Sequence, residues 1–220
     1  SAVRLHVIRH GETAHNVVKR IQGDLLDDPL NDVGRAQAAA LARWYAAQRA
    51  RGTRVAAVYA SPLRRAWMTA APLAKALGLP GPVAVPALRE VGWGAHMGQV
   101  NDGATREAME RVLEAWRAGD LAAAVVGGES ALDAWARVQA ALQPLLARHA
   151  GDEDVVLVAH GRLNKVLLGG LVDGDLRRME DYPQANAGVT VVEGPAPWRV
   201  AALNRTDHLS GLRALDERAG

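Results

Sequence analysis

The sequence reads as an α/β protein, a three-layer α/β/α sandwich around a mostly parallel sheet, forming a single domain with a small lid insertion. Three observations predict this. Short β-branched apolar runs alternate with stretches of helical periodicity. One run, Val155-Val156-Leu157-Val158, is continuously apolar, as in a strand covered on both faces. The 220 residues, 49% hydrophobic and 23% charged, are enough for one sizeable core.

Each element has its own signal. Residues 4–9 carry Leu5, Val7 and Ile8 and read as the first strand, within a strand-like run that starts at Ser1. Asn31 can cap a helix bearing Ala36, Ala39, Ala40 and Trp44, which ends near Gly52. Residues 54–59 form a second strand. Pro62 starts a helix that Gly78 ends. A short strand follows at 83–85, and helices are expected over 102–118 and 129–149. The buried strand at 154–159 leads into a short apolar helix over 163–171, and strands close the chain at 188–193 and 198–203. Two Pro/Gly clusters, 78–82 and 194–197 (including Ala196), read as tight connections rather than linkers.

Composition excludes several classes. A formal charge of +2 gives no electrostatic reason to expect a nucleic acid or an anionic membrane as partner. No apolar run approaches the ~20 residues that a membrane-spanning helix needs. There is no Cys, which removes disulfides, thiolate nucleophiles and Cys-ligated zinc. Three lysines stand against 23 arginines, and Ala fills about a fifth of the chain. Arg is the better phosphate clamp, because its planar fork donates two parallel hydrogen bonds.

The informative residues sit where strands end, which is where sheets of this kind place their sites. The first strand runs into Arg9-His10-Gly11-Glu12-Thr13, with Asn16 soon after. The second runs into Ser61-Pro62-Leu63-Arg64-Arg65-Ala66, and the buried strand ends in His160-Gly161. Two imidazoles and at least two guanidiniums at one sheet edge make a site for a dianion, for which a phosphoryl group is the obvious candidate.

These motifs resemble those of the histidine phosphatase superfamily, the phosphoglycerate mutase-like proteins, on its phosphatase branch. R-H-G-E-T-x-x-N is matched by Arg9 to Thr13 with Asn16, S-P-L-x-R-A by Ser61 to Ala66, and the later H-G by His160-Gly161. Leu88-Arg89-Glu90 with Gly94 matches the acid-bearing element. Weaker matches are Gly128-Glu129-Ser130, Asn186, and the segment holding His208. The likeness runs from Arg4 to about Leu209.

The resemblance implies a phosphoric monoester hydrolase of the histidine acid type that needs neither metal nor cofactor and acts on a small phosphate ester. His10 is the expected nucleophile, Arg9 and Arg65 the phosphoryl clamp, and His160, if protonated, a further donor. Glu90 is the expected general acid and base, which requires a raised pKa. Asn16, Gln22, Gly23, Gly161 and Arg162 are the expected substrate-binding residues, with Asn16 as a neutral donor and the amides after Gly161 as part of the phosphate cradle. Glu12 is expected to pair with Arg or backbone groups. His6 is read as a packed strand residue, His149 as an exposed helix-end residue, and His208 as structural. His6, His10 and His15 lack the spacing of a helical metal pair. The expected location is the cytoplasm, and a homodimer is left open.

The chain departs from the family pattern in two places. Ala95-His96-Met97-Gly98 stands where many phosphatases carry Trp-Glu-Gly, in a segment expected to cover the site over about 91–128. Arg162 follows His160-Gly161 where a small or apolar residue is usual, so it either points to solvent or meets a second acidic group on the substrate. About thirty-five residues separate Glu90 from Gly127, little room for a mutase-type insert. Hydrolysis is therefore expected over phosphoglycerate-type transfer or an inactive phospho-ligand binding module.

Overall fold

The computed structural model describes residues 2–149, 151–195 and 197–216. Ser1 and Ala196, named above, lie outside the described residues. The strands are β1 (Val3–Arg9), β2 (Val55–Ala60), β3 (Val83–Ala84), β4 (Asp154–Ala159), β5 (Val189–Gly194) and β6 (Arg199–Arg205). They form one sheet in the order β3-β2-β4-β1-β5-β6. The first four in that order are parallel, while β5 runs antiparallel to β1, and β6 to β5. The helices are α1 (Ala14–Val17), α2 (Asp32–Ala50), α3 (Arg64–Ala76), α4 (Gly103–Ala118), α5 (Ala131–Leu146) and α6 (Gly161–Leu168).

The three layers follow from alternation along the buried strands. On β4, Val155, Leu157 and Ala159 enter one core with residues of α4, α5 and α6, such as Trp116, Leu142 and Leu163. Val156 and Val158 enter the other, with Leu41 and Tyr45 of α2 and Leu73 of α3. A strand buried on both faces has no solvent-facing alternate, which explains the unbroken apolar run from Val155 to Ala159. Ala66, Ala70 and Ala74, four residues apart and fully buried, give α3 a flat face in that second core. Asn31 caps α2 by accepting from Gly34 N–H at 2.8 Å.

Boundaries differ from the sequence expectation mainly at helix ends. The helix after His160 is α-helical only through Leu168 and then widens into a π turn, Gly169–Asp173. Two consecutive glycines there offer no side chain to hold α geometry, and Gly170 lies against the Trp135 ring, where a Cβ would come within 2.5 Å of the indole. α5 stops at Leu146, short of His149. His149 is not an exposed helix-end residue: its ring nitrogens engage Tyr59 Oη at 2.8 Å and Glu153 Oε2 at 2.9 Å. Among the described residues, no helix is long and apolar enough to cross a membrane.

Candidate active site

Register brings the strand ends together. Arg9 pairs with Ala159, and Ala60 with Val158, so His10, His160 and Ser61 all follow adjacent rungs. His10 N–H donates to Ala159 O at 3.0 Å, and Ser61 N–H to Val158 O at 3.0 Å. The chain leaving His10 must pass the first turn of α2, and two glycines permit it. A Cβ on Gly11 would lie 2.8 Å from Gly34 O, and one on Gly34 only 2.1 Å from Glu12 O. Asn186 braces the same turn by donating to His10 O at 3.2 Å.

His10 is buried, and its Nδ1 lies 2.7 Å from Gly11 O, so Nδ1 carries the proton and Nε2 presents the lone pair. Burial, then the charges of Arg65 and Arg9, push its pKa well below 6.5. The imidazole is thus neutral and nucleophilic at neutral pH. Its ring centroid lies 5.3 Å from that of His160, edge to face.

Both arginines are buried and held by backbone carbonyls. Arg9 Nη1 donates to Gln184 O at 3.0 Å and Leu215 O at 3.1 Å. Arg65 donates to Leu26 O at 2.6 Å and Gly23 O at 2.7 Å, so it also anchors the loop before α2. Burial lowers Arg65 to about 10, which leaves it charged at neutral pH. With His10, Asn16 and Glu90, the two arginines line a pocket of about 350 Å³.

Glu90 follows a 3₁₀ turn, Pro86–Leu88, beyond β3. Its Oε1 accepts from Val91 N–H and Leu163 N–H, both at 2.8 Å, and its Oε2 from Arg162 N–H at 3.2 Å. The N-terminus of α6 therefore does hold an anion, but that anion is Glu90. This corrects the expectation that the amides after Gly161 cradle phosphate. Three backbone N–H groups thus fix the orientation of the Glu90 carboxyl at the pocket wall.

Other expectations are corrected by their partners. His160 is fully buried, and burial with the charges of Arg65, His10 and Arg9 pushes its pKa well below 6.5, so it stands neutral rather than protonated. Its Nε2 lies 2.8 Å from Ser61 Oγ, which also accepts from Leu63 N–H at 3.3 Å. Nδ1 on the other side of the ring has no hydrogen-bond partner among the described residues. Asn16 lines the pocket and is held by its neighbours. Its Oδ1 accepts from Thr13 N–H at 3.0 Å, and its Nδ2 faces Gln22 Oε1 at 3.4 Å. Gln22 in turn donates to Thr13 Oγ1 at 2.7 Å. Gln22 and Gly23 both line the pocket, and Gly23, at φ +63°, packs beneath Met97. Gly161 is buried and is not a wall residue.

Arg162 does not point to solvent. It is buried, lines the pocket and pairs with Glu180, whose other oxygen accepts from Lys165 Nζ at 2.8 Å. Glu12, fully buried, accepts from Asn31 Nδ2 at 2.9 Å and pairs with Arg213. Burial pushes Glu12 up, but Arg213 and Asn31 outweigh it and hold the carboxyl below its usual range. His6 bridges Tyr45 Oη and Asp154 Oδ2, each at 2.7 Å. His15 pairs with Asp28, and His208 lies 2.8 Å from Ala187 O. Among the described residues, no cluster of three His, Asp or Glu side chains could hold a metal ion.

Sequence reasoning missed much of the pocket wall. Lys19, Arg20, Asn101, Arg106, Glu110 and Leu113 join Trp93 and Met109 there. Arg106 and Glu110 carried no motif signal, since a charged residue on a solvated helix looks the same whether or not a pocket lies beside it.

The model of the histidine phosphatase superfamily, branch 1, matches residues 5–206. The chain belongs to the histidine phosphatase superfamily. Branch 1 is the proper label, in place of the acid type expected above. A metal-independent phosphoserine phosphatase of Arabidopsis thaliana is 33% identical over 94% of this chain and 83% of its own. A probable phosphoglycerate mutase of Yersinia pestis is 33% identical over 98% of both. A mycobacterial glucosyl-3-phosphoglycerate phosphatase superposes with a TM-score of 0.80 at 32% identity, covering 94% of this chain and 100% of that one. Relatives of this histidine phosphatase superfamily member thus include named phosphatases, and its sheet and helices match the family fold.

Proposed function

We propose that the protein is a metal-independent phosphomonoester hydrolase acting through a phosphohistidine on a small phosphorylated metabolite. The observation that carries this is His10: a buried, neutral imidazole whose Nδ1 is tied to Gly11 O, set between two arginines on a pocket wall. In the first step Nε2 attacks phosphorus in line. The N–P bond forms as the ester P–O bond breaks, and Glu90 gives its proton to the leaving alcohol oxygen. Arg9, Arg65 and His160 stabilise charge on the phosphoryl oxygens. In the second step Glu90 takes a proton from water. The water oxygen bonds to phosphorus, the N–P bond breaks, and inorganic phosphate leaves with His10 restored.

Residues 91–128 act as the lid, with Trp93, Met109 and Leu113 forming an apolar wall beside the substrate's carbon skeleton. Of the remaining cations of the pocket, Arg162 is paired with Glu180, while Lys19, Arg20 and Arg106 face one further acid on the wall, Glu110. That balance favours a phosphate ester with a second anionic group. Phosphoserine and glucosyl-3-phosphoglycerate, the substrates in the relatives' names, each carry a carboxylate as well as a phosphate.

The test is phosphate release from 4-nitrophenyl phosphate and from a panel of phosphorylated metabolites, with EDTA present. Release that disappears in His10→Ala, together with an acid-labile phospho-enzyme in the wild type, is expected. Isomerisation of 3-phosphoglycerate with its bisphosphate activator, without phosphate release, would instead make the protein a mutase. Neither activity would leave it a binding module.

A further inference from the structure

The segment that carries Glu90 has little regular structure of its own: a single 3₁₀ turn precedes it, and residues 90–93 are neither helix nor strand. One side chain gathers its backbone. Arg137, on α5, donates from Nη1 to Ala87 O, and from Nη2 to Arg89 O at 3.0 Å and Glu90 O at 3.1 Å. Its orientation is set by Glu129, which accepts from Nε at 2.7 Å and from Nη2 at 3.0 Å. The same Glu129 carboxylate accepts from Gly92 N–H at 3.2 Å, and Glu129 N–H donates to Gly92 O at 2.8 Å. Glycines let the two strips of backbone touch, since a Cβ on Gly94 would lie 2.3 Å from Val126 O and one on Gly128 3.0 Å from Gly92 O.

We infer that Arg137 and Glu129 form a positioning clip that aims the Glu90 carboxyl at the leaving-group oxygen. This rests on the acid role proposed for Glu90. The arrangement has two halves. The N–H groups of Arg162 and Leu163 fix the carboxylate from the α6 side, and the guanidinium fixes the carbonyls of the same segment from the α5 side. A planar fork with five donors is suited to collecting several carbonyls at once, and a bidentate carboxylate partner removes its remaining rotational freedom. Proton transfer demands that donor and acceptor sit within hydrogen-bond reach as the P–O bond breaks. A segment without its own hydrogen-bond ladder meets that demand only if something outside it supplies the restraint. Neither Arg137 nor Glu129 lines the pocket, so neither touches substrate; the charge of Arg137 also reaches His160, an effect that would change both esters alike, whereas loss of the clip changes the alkyl ester alone.

The consequence can be read from leaving groups. An alkyl phosphate releases a strongly basic alkoxide and needs the proton from Glu90. 4-Nitrophenyl phosphate releases a stable phenolate and does not. The measurement is kcat/KM, which reports the steps up to release of the alcohol, for wild type, Arg137→Met, Glu129→Gln and Glu90→Gln on both esters. We expect Arg137→Met and Glu129→Gln to lower kcat/KM for the alkyl ester about 10- to 100-fold, below the full general-acid contribution of roughly 10²–10⁴, and to change the nitrophenyl ester less than about threefold. Glu90→Gln should discriminate in the same direction and more strongly. Parallel loss on both esters, or no loss on either, in both clip variants while Glu90→Gln discriminates would overturn the clip alone. Equal loss on both esters in Glu90→Gln would overturn the acid assignment and the clip together. If Arg137→Met does not fold, Glu129→Gln carries the test, because the carboxamide keeps the volume and one acceptor while ending the bidentate pair.

Discussion

Glu180 bridges two buried cations, and its replacement gives a number that can be checked. The Arg162 side chain is 5% exposed, Lys165 0% and Glu180 25%. Burial by itself pushes the Glu180 carboxyl up, but the charge of Arg162 and the hydrogen bonds from Lys165 and Arg162 outweigh it and bring the pKa from 4.5 to about 2. The fall from 4.5 to about 2, at roughly 1.4 kcal/mol for each tenfold change in proton affinity, gives an upper bound of about 3.5 kcal/mol. Water reaches a quarter of the side chain and screens the pair, so about 2–3 kcal/mol is expected for Glu180→Gln at pH 7. For a chain of this size that is a fall in Tm of about 5–10 °C. Because the folded pKa is depressed, the contribution is complete above pH 4.5 and is lost as pH falls toward about 2. Urea unfolding from pH 7 to pH 3 should therefore show wild type and variant converging below pH 4.5. Equal stability at pH 7, or a difference that persists undiminished to pH 3, would refute the reasoning.

Three further outcomes are expected. NMR titration of the His10 imidazole should show no protonation between pH 8 and pH 6.5, because burial and two arginines hold it neutral, and Arg9→Met should move its titration upward; a midpoint at 6.5 in the wild type contradicts this. Gly94→Ala should cost more than about 2 kcal/mol in chemical denaturation, because φ is +51° and the new Cβ would lie 2.3 Å from Val126 O, whereas Gly52→Ala, at φ +101° with nothing within 4 Å, should cost about 1 kcal/mol. Asn31→Ala removes both the α2 cap and a donor to Glu12, so a loss of about 1–2 kcal/mol is expected in the same assay.

The strand-end motifs were legible because each joins a local backbone signal to a chemical one: an apolar run, then Arg, His or Ser, then glycine or proline. Glu90 was legible only through its motif, since nothing local marks a carboxylate on an irregular segment as different from any surface acid. Arg162 shows the limit most clearly. One turn beyond a strand, a charged side chain has equal access to solvent and to the interior, and the sequence offers no periodic cue to choose. The structure buries it because Glu180, eighteen residues away, folds back against α6 to receive it. His149 was misjudged for a related reason: one partner, Tyr59, lies on β2, and the other, Glu153, is reached across the turn that precedes β4.

Sequence alone determined the layered α/β class, the parallel strands and the sheet edge at which His10, Arg65 and His160 meet. Those features depend on side-chain periodicity and on where strands stop, both local properties of the chain. Tertiary structure decided the lowered pKa of the two histidines, the contact between the α6 N-terminus and Glu90, and the hydrogen bonds from Arg137 to the segment that carries Glu90. Each of these depends on burial and on charges brought together from distant positions, and both become defined only when the chain is folded. Even the net charge of +2 changes meaning there. Spread over a surface it would attract little, but folding gathers six of its cations around one pocket with two acids.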